Sequence, residues 1–504
     1  LREILAKLRL GLMKTEMDDA KFEAAQKKLT EIQDQLALGV RTIPDRKAKP
    51  EQSEAVKKVE AEIRRLEKVM SVEDSIFDLE AKLQRNGPPA QKRRVEEDDQ
   101  LFMLHRKRLE LRRRLARLEE SERPLTVWRG IGATAEFMRA TKATADFSAM
   151  FRQSVVLAPM RPVEFTKSAA KAMKAFFDSE YADRLDFEMR RQPQHIWRER
   201  AGLFLSNVDA KMTGREEAFT SSWAERMPVF GAVVRGSNRH MVTMLNQMRV
   251  AAFDSFREAN LDADTEVMTA MARYVNIATG RGELRGFEPV AGVLAKLAFS
   301  PRFVASRIQM LGSPFYFAAK YKDKRVAMVA TKDMLAFTAA GMSVLTLAHL
   351  AGAQVGLDPE DSFFGKMRFG KVTIDLWGGL QQPVALLAKV SVKGGDRVGL
   401  VEANKDINVL DAGIRYLTYK ASPGISGTYA IGMGEDIIGR KIGFAEAVAR
   451  SIAPMTLETA YETWQATEGN VAATLAATAV SASGVGVQVY EDKKKRKAKL
   501  RKVD

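Results

Sequence analysis

The sequence predicts a mainly α protein: a long antiparallel coiled-coil-like arm, a multi-helix bundle and one short β-hairpin. Three observations carry that expectation. Apolar residues near the start recur at alternating steps of three and four, the period of helices packed along a seam. The middle of the chain carries one apolar face per segment at helical spacing, without the β-α-β alternation that a doubly wound sheet needs. The best strand signal, about Gly370, has the period of two that marks a strand pair.

The arm occupies residues 1–124. Leu1, Leu5, Leu8 and Leu12, then Phe22, Ala25, Leu29, Ile32 and Leu36, form its first stripe. Gly39 and a basic loop from Pro44 to Pro50 interrupt it. Val56, Val59, Ile63, Leu66 and Met70 resume it on a second helix, which Asn86-Gly87-Pro88-Pro89 stops. Leu101, Leu104, Leu111, Leu115 and Leu118 set a third stripe, with Arg108 out of place. Charges fill the other faces, as solvated helices require. Such stripes pack either within one chain, antiparallel, or against a neighbouring chain.

Residues 125–265 predict a helical domain. Ser168–Asp178, Ala201–Ala210, Arg215–Ala224 and His240–Ala259 carry one apolar face each, and Pro159, Pro162, Pro193 and Pro228 punctuate the connections. Met241, Met244, Leu245 and Met248 lie on one helical face and are read as core.

A third domain, residues 266–490, mixes helices with a hairpin over 366–376, in which Lys366–Phe369 and Lys371–Leu376 alternate about Gly370. Asn404–Tyr419 reads as an amphipathic helix, Ser422–Gly439 as a glycine-rich irregular segment and Glu446–Trp464 as a helix. Met334–Leu357 is a run of 24 uncharged residues between Asp333 and Asp358. As one helix it would be about 36 Å long, enough to cross a hydrocarbon core. Two readings stay open for it: a buried helix of a soluble bundle, or a conditional membrane segment through Met334, Leu335, Leu345, Leu347, Leu350 and Leu357. His349 opposes the second reading, because it is costly among lipid tails. Val471–Val489, rich in small residues, favours a packed helix over a second span. The basic tail, 491–504, holds Lys493, Lys494, Lys495, Arg496, Lys497, Lys499, Arg501 and Lys502. It has no aromatic residue to stack on bases, so its contacts would be to phosphates of nucleic acid or to anionic lipid, without sequence preference.

Composition bounds the rest. With 504 residues the chain can bury a substantial core, and a net charge of +16 favours an anionic partner. A mean hydropathy of −0.23 excludes an ordinary polytopic membrane protein. The absence of Cys removes disulfides, thiolate metal sites and thiol catalysis, and suits passage between reducing and oxidising spaces. Leu1 opens inside a charged helical pattern without an initiating Met, which reads as a segment of a longer polypeptide. His105, His195, His240 and His349 are far apart, without metal-ligand spacing. Gly280-Arg281-Gly282 and Gly432-Met433-Gly434 begin like phosphate loops but do not continue as one, and Gly280 reads better as a helix C-cap. No nucleophile elbow or isolated acid in an apolar setting occurs. The expectation is a non-enzymatic chain with no catalytic residues, cofactor, metal or small-molecule substrate.

Tyr274–Gly282, Phe299–Arg307, the apolar run, and Gly365–Gln382 with its Trp377-Gly-Gly-Leu-Gln-Gln382 ending follow one another in an order that resembles a known family. It is similar to a large polyvalent protein-associated domain found in giant phage proteins. Ser148–Ser154, Arg200–Leu203 and Ser483–Tyr490 extend the resemblance. It implies an internal virion, or ejection, protein of a tailed phage, assembled inside the capsid or at the portal. Its partners would be portal or core proteins, further copies of itself, non-specific DNA and, on infection, the host membrane. It would pass from the virion interior to the host envelope or periplasm and aid genome delivery. The alternative implied is a non-catalytic DNA-associated module acting in the host cytoplasm. The resemblance supplies no catalytic residues.

Overall fold

Two units divide the chain, Leu1–Glu62 and Ile63–Asp504. The computed structural model describes residues 54–67, 95–122, 152–206, 230–284, 300–361, 363–397, 423–434, 441–453, 455–482 and 485–489. In the first unit this covers most of helix α1 (54–67), where Val56 and Val59 are buried as their spacing predicts. The stripe from Leu1 to Leu36, the Pro44–Pro50 loop and the Asn86–Pro89 stop lie outside the described residues.

In the second unit come α2 (Val95–Glu122), α3 (Pro162–Phe177), α4 (Ser179–Arg191) and α5 (His195–Arg200). The buried face of α2 is Leu101, Phe102, His105, Leu109 and Leu111, while Leu104 and Leu115 are half-buried. This face is rotated from the all-leucine stripe because α2 meets an aromatic neighbour: Phe102 packs edge-on against Phe187 of α4, centroids 5.7 Å apart. Pairs between Arg106 and Glu180 and between Arg184 and Asp99 flank it. Proline opens α3 at its first turn, where its missing N–H is harmless. Asp178 then caps α4 by accepting from the Tyr181 N–H at 2.9 Å. Ala201–Ala210, expected as helix, instead turns at Gly202 (φ +77°) and is not helical over 203–206, while 207–210 lie outside the described residues. Side-chain amides explain this, since Asn276 and Asn246 accept from the Phe204 and Ser206 N–H groups and replace helical bonds.

The core is built by α6 (Phe230–Ala259), α7 (Thr265–Ala278), α8 (Pro301–Lys320) and α9 (Arg325–Leu350). Met241, Met244, Leu245, Met248 and Phe253 of α6 pack with Met271, Tyr274 and Val275 of α7, Met310 and Phe317 of α8, and Ala330 and Phe337 of α9. The methionine stripe is therefore core. Helix α7 ends as its sequence predicts, with Gly280 at φ +87° and the Arg281 N–H bonded to the Asn276 carbonyl at 2.8 Å. Buried and half-buried arginines tie helix ends together. Arg239 donates to the Ala175 and Phe176 carbonyls closing α3, and Arg249 to Thr279 beyond α7. Arg198 is ion-paired to Asp254 and donates to the Met189 carbonyl.

A four-stranded antiparallel sheet runs β1 (Gln354–Val355), β2 (Met367–Phe369), β3 (Val372–Asp375), β4 (Gly486–Val489) in spatial order. Its centre is the predicted hairpin, turning at Gly370 (φ +56°). Strand β1 falls inside the apolar run and β4 inside the Val471–Val489 segment, so both runs are helix followed by strand. The remaining helices are α10 (Gln381–Arg397), α11 (Pro423–Met433), α12 (Phe444–Ile452), α13 (Met455–Ala466) and α14 (Val471–Ala482). Helix α11 occupies a segment expected to be irregular. Its glycines are tolerated because Ala430 packs on Ile442 and Ala447 of the neighbouring turn and helix. The helices expected at Arg215–Ala224 and Asn404–Tyr419 lie outside the described residues.

Candidate functional site

Helix α9 shows how the apolar run is used. It starts at Arg325 rather than after Asp333, and stops at Leu350, where Gly352 adopts φ +89° and closes the end. The expected single helix Met334–Leu357 is thus corrected, and Leu357, 76% exposed, lies beyond β1. What remains of the run on the helix, Met334–Leu350, spans about 25 Å. One narrow stripe faces the protein: Asp333, Phe337, Gly341, Leu345 and Ala348, at steps of three and four. Met334 is half-buried against the core. The opposite face is uncharged and open, with Leu335 at 65%, Leu347 at 66% and Leu350 at 77% exposure, joined by Met342 and Val344. By length and composition the helix could cross a membrane, yet only 28% of its most apolar window is buried.

Two attachments hold α9. The first is a polar knot at its root. Asp333 Oδ1 accepts from Arg161 Nη1 at 2.8 Å and Asp333 Oδ2 from the Tyr274 hydroxyl at 2.7 Å. Burial raises the Asp333 carboxyl above its ordinary value, and Arg161 and Tyr274 oppose that shift. Burial, then the Asp333 charge, raises the Tyr274 hydroxyl well above its own. The second attachment is apolar. Leu345 and Ala348 pack with Ala353 and Met367, and Trp377 covers the join. A Cβ on Gly341 would lie 2.5 Å from the Trp377 ring, so glycine lets that indole lie on the helix. The indole N–H donates to the Gly365 carbonyl at 2.6 Å.

The stretches singled out in the sequence also meet. Arg307 Nη2 donates to the Arg152 carbonyl at 2.7 Å and the Gln153 carbonyl at 3.3 Å. The Gly282 N–H bonds the Arg302 carbonyl at 3.0 Å. Gly378 lies against Val155, and Gly379 against the Phe303 ring and the Arg307 stem. The described parts of these segments, 152–154, 274–282, 300–307 and 377–382, therefore meet around Arg307, whose guanidinium is buried, 1% exposed and 4.5 Å above the Phe303 ring. Burial pushes it down to about 9, so it remains a cation at neutral pH. Arg200–Leu203 joins α7 nearby, where the Gly202 carbonyl accepts from Asn276.

Asp333, Arg161, Tyr274 and Trp377 are absent from the sequence-predicted site. Asp333 corrects the expectation that no isolated acid lies in an apolar setting: it is 1% exposed, and its signal was readable, since it stands on the buried period with Phe337 and Ala330. The tail residues Lys493–Lys502 lie outside the described residues. Among the described residues no group of three or more His, Asp or Glu is placed to hold a metal ion. Comparison with known proteins finds no matching family, curated protein or solved structure.

Proposed function

We propose that this chain is a non-enzymatic internal virion protein of a tailed phage, ejected to aid genome passage through the host envelope. The observation that carries the reading is the uncharged, exposed face of α9. An apolar surface of that length on a free protein promotes aggregation, so it calls for a partner. Packaged subunits would cover it in the capsid, and lipid after ejection.

Magnitudes decide how it would meet lipid. Burying the exposed parts of Leu335, Met342, Val344, Leu347 and Leu350 is worth on the order of 5 kcal/mol. Breaking the Arg161–Asp333–Tyr274 knot costs about 3–5 kcal/mol before any core packing is lost. Contact along the open face, with the root still anchored, therefore wins over extraction of a spanning helix. Lys322 and Lys332, exposed near the root, suit anionic headgroups. Mass spectrometry of purified particles tests the assignment: the chain should be found at structural stoichiometry within the capsid. Its absence from particles would overturn the reading in favour of a cytoplasmic DNA-associated module.

A further inference from the structure

The junction around Arg307 contains more hydrogen-bonding capacity than the chain uses. Arg307 Nε and Nη1, Arg152 Nε, Gln153 Oε1 and Gln382 Oε1 are buried without a bonding partner among the described residues. Leaving a buried donor unmade is expensive, and a buried guanidinium without a counter-charge more so. Among the described residues the hydrogen-bond partners of Arg307 are two main-chain carbonyls, and burial, with no acid opposing it, lowers its guanidinium. Its two carbonyl bonds use one nitrogen of three.

Beside it is a glycine turn. Gly378 and Gly379 both have positive φ, +56° and +87°, and their N–H groups reach no main-chain carbonyl among the described residues. The turn leads into α10, a 17-residue helix in which the Gln381 and Gln382 N–H groups have no acceptor within the helix, while Pro383 has no N–H and the Val384 N–H is bonded to the Leu380 carbonyl. A glycine turn feeding a helix N-terminus favours anions. The Arg307 stem passes this turn: a Cβ on Gly379 would lie 3.9 Å from Arg307 Cγ. Gln382 stands in the first turn of the same helix. Its side-chain amide, and that of Gln153, can be turned about to present N–H in place of oxygen.

We propose that this junction binds a phosphate group, with Arg307 supplying the charge and the Gly378–Gly379 turn and α10 N-terminus supplying main-chain donors. The donors outnumber the two oxygens of a carboxylate, which favours the tetrahedral oxyanion. Arg307 is only 1% exposed, so the junction would take free phosphate or the terminal phosphate of a small molecule and not the backbone of a duplex. It is separate from the open face of α9 and stands or falls independently of that reading.

The test is calorimetric titration of the full chain with inorganic phosphate at constant ionic strength, with parallel titrations of acetate, a mononucleotide and duplex DNA. Saturable one-to-one phosphate binding, at least ten-fold weaker in Arg307→Gln and not displaced by duplex, is the expected result. Tighter binding of the mononucleotide than of phosphate would identify the source as a phosphorylated small molecule. Acetate binding equal to phosphate would overturn the proposal. So would absence of saturable phosphate binding, or unchanged affinity in folded Arg307→Gln. Should Arg307→Gln not fold, Gln382→Leu decides: several-fold weaker phosphate binding supports the site, and unchanged affinity overturns it.

Discussion

Asp333 shows what single residues contribute and what a sequence conceals about them. Read along the chain, it marks the edge of an apolar run. In the fold its charge is paired with Arg161, 172 positions away, and it accepts a hydrogen bond from Tyr274, 59 positions away, so the helix runs straight through it. No local pattern reveals such partners. Asp333→Ala should lower stability by about 3–5 kcal/mol, because it strands the Arg161 charge. Tyr274→Phe should lower it by about 1.5–3 kcal/mol. Urea midpoints measure both, and a loss below about 1 kcal/mol for Asp333→Ala would dismiss the knot. His240 sets a pH dependence. Burial lowers it from 6.5 to about 4. The unfolded chain therefore takes the proton first, and stability is lost as pH falls from about 6.5 to about 4, by on the order of 3 kcal/mol. Urea midpoints across that window should show the decline, and His240→Gln should lessen it, leaving the share of His105, which burial likewise lowers to about 4.

Among the elements, the hairpin was legible because alternation and Gly370 are local. Strands β1 and β4 were not: each is short, and β4 joins β3 from more than a hundred residues away. Helix α9 was half legible. Its apolar character could be read, but not its ends or which face turns outward, since those depend on Trp377 and on the knot. Gly341 tests the packing. Gly341→Ala should push the Trp377 indole away, shift its fluorescence to the red and lower stability by about 1–3 kcal/mol. A variant with unchanged emission and melting would contradict the contact. Leu345 belongs to the buried stripe, so Leu345→Arg would break the attachment to the sheet and cannot report on lipid. Leu335 and Leu347 can.

Across the whole molecule, the mainly α architecture followed from helical periodicity, while the meeting of distant segments at Arg307 did not, because proximity in space leaves no mark on spacing. The net charge of +16 also divides unevenly. Arg198, Arg249 and Arg307 are at most 1% exposed and hold the fold together, so they add little to an external field. Binding to duplex DNA should then depend on Lys493–Lys502 and surface lysines. Deleting that segment should flatten the salt dependence measured by fluorescence anisotropy, as up to eight phosphate contacts vanish. An unchanged slope would leave the tail as a solubilising extension.

The central claim is that the open face of α9 meets lipid, and flotation with liposomes of phosphatidylethanolamine and phosphatidylglycerol tests it most directly. The wild-type chain should rise with the vesicles, and Leu347→Arg, whose site is 66% exposed, should stay at the bottom with an unchanged melting temperature. A wild-type chain that stays at the bottom, or a Leu347→Arg chain that floats equally well, would contradict the account.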